Sequence, residues 1–370
     1  MKADWCGFGA AEHERQTNAA IQKAEATTGT VGMEAVDAMK QTVGAKLMEE
    51  ASELARRRWA QLLMQRGDPR SQALADYLGG PGDGASGEAV SQARARLQGR
   101  ARTSSDPMVT ALALMRPCTA GACANIEASQ WSRLEPANLQ AWSALLKNAN
   151  DSRQVQVGYV LDRMAVEARY SRSYQREFTD MLLSLPMTET PGLQSEAEMQ
   201  LIYGMAGAWQ VMNFGPVIQA CRAGLAQPGL APRCEAVANT LWQQGDRLER
   251  GLAMALARLA LPGRPEQRAA WERRARELEA VSEWEKGVFE RFMARLIPDG
   301  KEPSSPCDLQ PRAWQMLRES SGQSDWERAR AEMRAAGVDE AALAAAWRRD
   351  AGRSALDAPL PPTSAASGAR

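Results

Sequence analysis

This chain has a single histidine, His13, in 370 residues. That removes multi-histidine metal centres. It leaves any Ser-His-Asp or Cys-His mechanism with His13 as its only imidazole. His13 stands between Glu12 and Glu14, the setting of an exposed helix start more than of a catalytic base. Phe and Tyr are scarce, at five each, and β-branched runs are few, so strands have little to be built from. There is no G-x-x-x-x-G-K-[ST] loop and no G-x-G-x-x-G between a strand and a helix, so both common phosphate cradles are missing. No apolar run approaches the roughly 20 residues of a membrane-spanning helix. Neither sign of charge is in excess, with Lys plus Arg and Asp plus Glu at 45 each. Such a balance gives no general pull toward nucleic acid or an anionic membrane. Only seven of the basic residues are Lys; the rest are Arg. Carboxylates are spread over every helical pattern, and no pair stands out as acid and base. The sequence therefore nominates no catalytic residue, metal ligand or cofactor.

What is present is helix. Hydrophobic residues make up 44% and charged residues 24%, the composition of a folded protein. Residues 12–66 carry apolar positions at helical spacing, among them Met33, Val36, Met39, Val43, Leu47, Leu54, Trp59 and Leu63. Thr27, Thr28, Gly29 and Thr30 interrupt the pattern before them. GGPGDGASGE, at 79–88, reads as a flexible loop. Residues 201–214 are apolar nearly all round and read as a buried central helix, with Gly204 and Gly207 allowing a neighbour close approach. Residues 265–297 form one long charged helix, with Trp271, Ala275, Leu278, Val281, Glu285 and Val288 on one stripe. A pair of short helices is predicted over 307–349, with Trp314, Leu317, Trp326, Leu343 and Trp347 turned inward. The expected organisation is N-terminal amphipathic helices at 1–66, a helical core at 67–262, a C-terminal helical region at 263–350 and a disordered tail at 351–370.

Three helix starts line up. GDPRSQALADYL (67–78), SDPMVTALALM (105–115) and EPANLQAWSALL (135–146) each place an acidic residue before Pro, followed by Ala with Leu or Trp. Asp is a good N-cap, and Pro at the first helical position loses no intrahelical bond. Gly245-Asp246 opens a fourth, looser start. EPANLQAWSALL resembles the start of a tetratricopeptide-type repeat, in which Pro ends one unit and Asn-x-x-Ala-Trp opens the next. The stretch R-C-E-A-V-A-x-x-L-W-x-x-G-D also resembles uncharacterised bacterial cysteine-containing helical proteins. The repeat resemblance implies an all-α fold of helix–turn–helix units packed as an irregular solenoid or bundle. It also implies a concave surface that binds a protein or peptide partner. The residues that would line such a surface here are Asn138, Trp142, Tyr159 and Arg163.

Six cysteines remain. Cys118 and Cys123, and Cys221 and Cys234, each bracket a predicted helix–turn–helix corner. A corner brings two helix ends to the Cα separation that a disulfide needs. Cys6 and Cys307 would be the third pair, joining the two ends of the chain. Buried free thiols are the alternative, since such groups pack like small apolar side chains. The spacing fits neither a zinc site nor a redox C-x-x-C. Disulfides imply an oxidising compartment. ADWCGFGAAE near the start reads as a mature N-terminus left by leader removal, so the expectation is a periplasmic or secreted protein; a cytoplasmic one is the alternative. Function on this reading is that of a non-catalytic helical scaffold or binding protein. The alternatives are a carboxylate-dependent hydrolase and an exported effector or envelope factor. A long shallow groove would favour binding, and an enclosed pocket holding two acids of raised pKa would favour the enzyme.

Overall fold

Aspartate followed by proline starts helices in this chain as expected. In the computed structural model, Asp68 accepts from Ser71 N at 2.9 Å and Pro69 opens its helix. Asp106 accepts from Met108 N at 2.9 Å and Pro107 opens the next. Arg70 donates to Asp106 at 2.5 Å, so the first start is tied to the second. Asp246 makes a full capping box. It accepts from Glu249 N at 2.9 Å, and Glu249 accepts from Asp246 N at 3.1 Å. Glu135-Pro136 departs from the pattern. Residues 135–138 form a turn, and the helix begins only at Leu139.

The structure describes residues 5–28, 42–79, 88–118, 121, 123–149, 154–209, 215–223, 229–262, 264–298, 300 and 303–357. The expected loop at 79–88 and the expected tail lie largely outside the described residues, as do Met33, Val36 and Met39. The helices are α1 (Ala10–Thr28), α2 (Val43–Arg66), α3 (Pro69–Leu78), α4 (Glu88–Thr103), α5 (Pro107–Met115) and α6 (Ser129–Leu134). They continue as α7 (Leu139–Ala149), α8 (Gln154–Glu167), α9 (Gln175–Leu183), α10 (Leu193–Trp209), α11 (Gly215–Ala223) and α12 (Leu230–Gln244). The last are α13 (Arg247–Ala260), α14 (Pro265–Lys286), α15 (Val288–Leu296), α16 (Gln310–Ser320), α17 (Asp325–Ala335) and α18 (Glu340–Ala351). The fold is all-α: among the described residues the one β feature is an isolated parallel bridge between Asn138 and Tyr170.

Two large apolar cores share one helix. Leu139, Trp142 and Leu146 of α7, spaced for one helix face, pack with α8 and α11–α14, and with Trp326 and Met333 of α17. Ala141, on another face of α7, joins Trp59, Leu63, Leu74, Leu112, Trp131, Tyr174 and Phe178 in the second core. That second core also takes Trp314 and Leu317 of α16. The first core draws on residues from Leu139 to Leu356 and the second on residues from Trp59 to Leu317. A third, small cluster joins Trp5, Met48, Leu193, Ala197 and Cys307.

The cysteines fall into three pairs at disulfide distance. Cα separations are 5.2 Å for Cys6 with Cys307, 5.7 Å for Cys118 with Cys123 and 5.9 Å for Cys221 with Cys234. No described helix is long and apolar enough to cross a membrane.

Three expectations need correction. The long charged helix breaks at Gly287 into α14 and α15. A Cβ there would lie 2.8 Å from Arg291, whose guanidinium stacks on Trp284 at 3.9 Å. Gly204 is not a close-approach site: a Cβ there would meet nothing within 4 Å, and neighbouring Tyr203 is 48% exposed. Residues 307–349, where a pair of helices is expected, carry three, α16–α18. Trp314, Leu317 and Trp326 are buried as expected, while Leu343 and Trp347 are half-buried.

Candidate functional site

Five carboxylates are buried among the described residues, and four of them have arginine partners. Asp76 takes Arg96 and Arg100 at 2.7 and 2.8 Å. Glu198 takes Arg58 at 2.6 Å, Glu279 takes Arg348 at 2.6 Å, and Glu235 takes Arg264. Glu135 is the exception. It is 8% exposed and is held by neutral donors: Trp131 Nε1 and Asn138 Nδ2 at 2.9 Å on one oxygen, Tyr174 and Tyr170 hydroxyls at 2.8 and 3.0 Å on the other. Burial, and then the hydrogen bond to Glu135 and its charge, push the Tyr170 phenol up to about 12 and Tyr174 higher still.

The backbone around Glu135 is arranged to bring those donors in. Segment 137–139 pairs with 169–170: Arg169 N donates to Ala137 O and Leu139 N to Tyr170 O, both at 2.8 Å. Asn138 stitches the two together. Its Nδ2 donates to Arg172 O at 2.8 Å, and its Oδ1 accepts from Arg172 N at 3.0 Å and Gln140 N at 3.1 Å. Tyr174 sits at φ 64°, in the left-handed region that a bulky residue enters at a cost of about 1–3 kcal/mol. That conformation aims its hydroxyl at Glu135.

Two openings flank this hub. One is a shallow groove of about 770 Å³ between α6, α7 and α8, lined by Pro136, Trp142, Tyr159, Arg163, Val166 and Arg169, among others. Tyr159 is 58% and Val166 63% exposed, both on this groove. Trp142 forms the floor. It is 6% exposed, its indole donates to Pro136 O at 2.7 Å, and Arg163 lies 5.8 Å from its ring centre. Arg133 and Arg169 complete a basic rim, with Glu167 as its one acid. The structure places Trp142, Tyr159 and Arg163 along this one groove. Asn138 does not join them: it is fully buried behind the groove, with its amide spent on the hub.

The second opening is a half-enclosed cavity of about 880 Å³. Its wall is built from Gln140, the 170–174 segment, α9, Ile202 and Tyr203 of α10, Asp246 and Glu249, Leu317 of α16, and Asp325 and Arg328 of α17. Glu249 accepts from Gln140 Nε2 at 2.5 Å and from the Ser171 hydroxyl. Burial, with the Asp246 charge adding to it, pushes Glu249 up to about 6 against the pull of those bonds. Asp180 is also raised, by burial and then by Glu177. No family model, curated protein or solved structure matches this chain. The site must therefore be read from its own residues.

Glu135, Tyr170, Tyr174 and Glu249 were not singled out in the sequence. Glu249 had a signal, since it stands three residues after the Asp246 cap, where a capping-box acid belongs. Glu135 had a misleading one, because Glu before Pro looks like another helix start. His13 lies away from both openings, with its ring 5.7 Å from that of Trp5. Among the described residues, no three His, Cys, Asp or Glu side chains converge as metal ligands.

Proposed function

We propose that this chain is a non-catalytic binding protein, and that the groove over Trp142 takes an acidic segment of a partner protein with an apolar anchor. The observation that carries this is the pairing of exposed apolar groups with cations. Tyr159 and Val166 stand more than half exposed beside Arg133, Arg163 and Arg169. Exposed apolar surface rimmed by charge is how docking faces are built, and an arginine rim selects carboxylates on the partner. An oxidising location, outside the cytoplasm, fits the three cysteine pairs.

A random-peptide display selection on the immobilised chain tests this. Enrichment of peptides with Asp or Glu beside an aliphatic or aromatic residue is expected. Tyr159→Ser and Arg169→Glu should each abolish it without changing the circular dichroism. Selection of no consensus, or of one that survives both substitutions, would sink the proposal.

A second reading draws on Glu249 and Asp180, two acids of raised pKa on one cavity wall. They would suit a carboxylate-based hydrolase. Turnover of a panel of glycoside, ester and peptide substrates that is lost in Glu249→Gln is its test.

A further inference from the structure

The cavity on the other side of the hub has an imbalance that the groove does not explain. Five carboxylates line it against three guanidiniums. All three guanidiniums are engaged locally. Arg172 pairs with Glu177, Arg176 stands 3.5 Å from Glu327, and Arg328 donates to Asp325 at 2.8 Å. Asp180, Asp246 and Glu249 have no ion-pair partner among the described residues. An unbalanced acidic wall is not by itself a site, but a second observation points the same way. Gln140 lines the cavity and is 2% exposed, and its amide oxygen has no donor. Its amide nitrogen is already committed to Ser171 and Glu249, so turning the amide over would only move the deficit. A buried acceptor left without a donor costs roughly 1–3 kcal/mol in general, and a ligand N–H removes that cost.

We propose that this cavity binds a small organic polycation, a diamine or polyamine, through Asp180, Glu249 and the Gln140 carbonyl. Two features select this class over a metal ion or a single ammonium. The carboxylates do not converge on one point, since no cluster among the described residues could hold a metal; separated charges on a flexible chain fit separated acids. The same lining carries the ring of Tyr203, 48% exposed, which suits methylene spacers and ammonium–ring contact.

Isothermal titration of the full oxidised chain with 1,5-diaminopentane and spermidine tests this. Pentylamine serves as the singly charged control and calcium chloride as the inorganic one. Saturable one-to-one binding of a polycation is expected, with pentylamine weaker by about tenfold or more, the scale of one lost charge-assisted bond. Asp180→Asn, an exposed position outside both cores, should weaken the polycation by about tenfold with an unchanged urea midpoint. Glu249→Gln should weaken the polycation to a similar extent. No saturable heat at millimolar polyamine overturns the proposal. So does equal binding of pentylamine, equal binding of calcium, or an Asp180→Asn titration like that of wild type. Peptide selection at the groove should be unaffected by Asp180→Asn, so the two readings fail separately.

Discussion

Replacing Glu135 by Gln keeps the shape of the hub and removes its charge. The consequence follows from the donor count. Two donors reach each oxygen of Glu135, and all four are neutral. A glutamine has one oxygen, so one pair of donors must face an NH2 group. The tyrosine hydroxyls can rotate and accept from that NH2, whereas the Trp131 and Asn138 N–H groups cannot. The variant therefore keeps its oxygen toward Trp131 and Asn138 and loses both phenol-to-carboxylate bonds. A hydrogen bond to a charged group contributes about 1.5–3 kcal/mol and a neutral one about 1. Four bonds that each fall from about 1.5–3 to about 1 kcal/mol give a cost of about 2–8 kcal/mol. Urea unfolding followed by tryptophan fluorescence reads this directly. A second assay separates charge from packing. The Tyr170 phenol is pushed up to about 12, in part by Glu135. Its raised folded value means that the stability it supplies is complete below pH 10 and fades as pH rises through about 12. In Glu135→Gln the phenolate absorbance should emerge at lower pH. A variant within about 0.5 kcal/mol of wild type, the range of ordinary surface changes, with an unchanged phenolate titration, would refute the reasoning.

Three further outcomes are expected. Glu249 titrates near 6 in the folded chain against 4.5 as its ordinary value. Its contribution to stability is therefore full below pH 4.5 and is lost as pH rises through 6. Between pH 4.5 and 7, wild type should lose about 2 kcal/mol relative to Glu249→Gln in urea titrations; parallel pH profiles would contradict this. Arg250 lies between two indoles, 4.3 Å from the centre of Trp326 and 5.1 Å from that of Trp242, and donates to Gly245 O at 2.9 Å. Arg250→Ala should cost about 2–4 kcal/mol and Arg250→Lys about half of that, whereas an equal cost for both would assign the effect to bulk alone. Chain-entropy reasoning ranks the cysteine pairs by loop length, 301, 13 and 5 residues. Removing the Cys6 and Cys307 pair should cost about 5 kcal/mol and removing either short one about 2–3, so a reversed order of urea midpoints would count against that account.

The helices were legible because their signals are local. Asp68, Asp106 and Asp246 each announced a cap, and a cap needs only the next three residues. The cysteine pairs were legible for a related reason: two of them close corners that the helix pattern had already placed. The break at Gly287, where Arg291 stacks on Trp284, was less visible because the apolar stripe runs on through it to Val288. The assembly of the cores was not legible at all. Trp59, Phe178 and Trp314 lie far apart along the chain, yet they share one interior, and nothing in the period of any one helix says which distant helix will cover it.

The site divides along the same line. Trp142, Tyr159 and Arg163, named from the repeat resemblance, line one groove because they lie on adjacent packed helices. Asn138 has its place in the repeat-like motif, but its side chain turns inward to the Arg172 backbone, 34 residues later, which offers both a donor and an acceptor that suit an amide. Glu135 shows the limit most clearly. In sequence it matches Asp68 and Asp106, an acid before proline. What separates it is length and surroundings. An aspartate at such a position reaches back to cap its own helix, whereas the longer glutamate side chain reaches four donors, two of them from the 170–174 segment. Those tyrosines become donors to Glu135 only once 169–170 has paired with 137–139 and Tyr174 has taken its left-handed turn. The residue on which both openings rest is thus defined by a pairing of two loops, the kind of contact that composition and periodicity do not record.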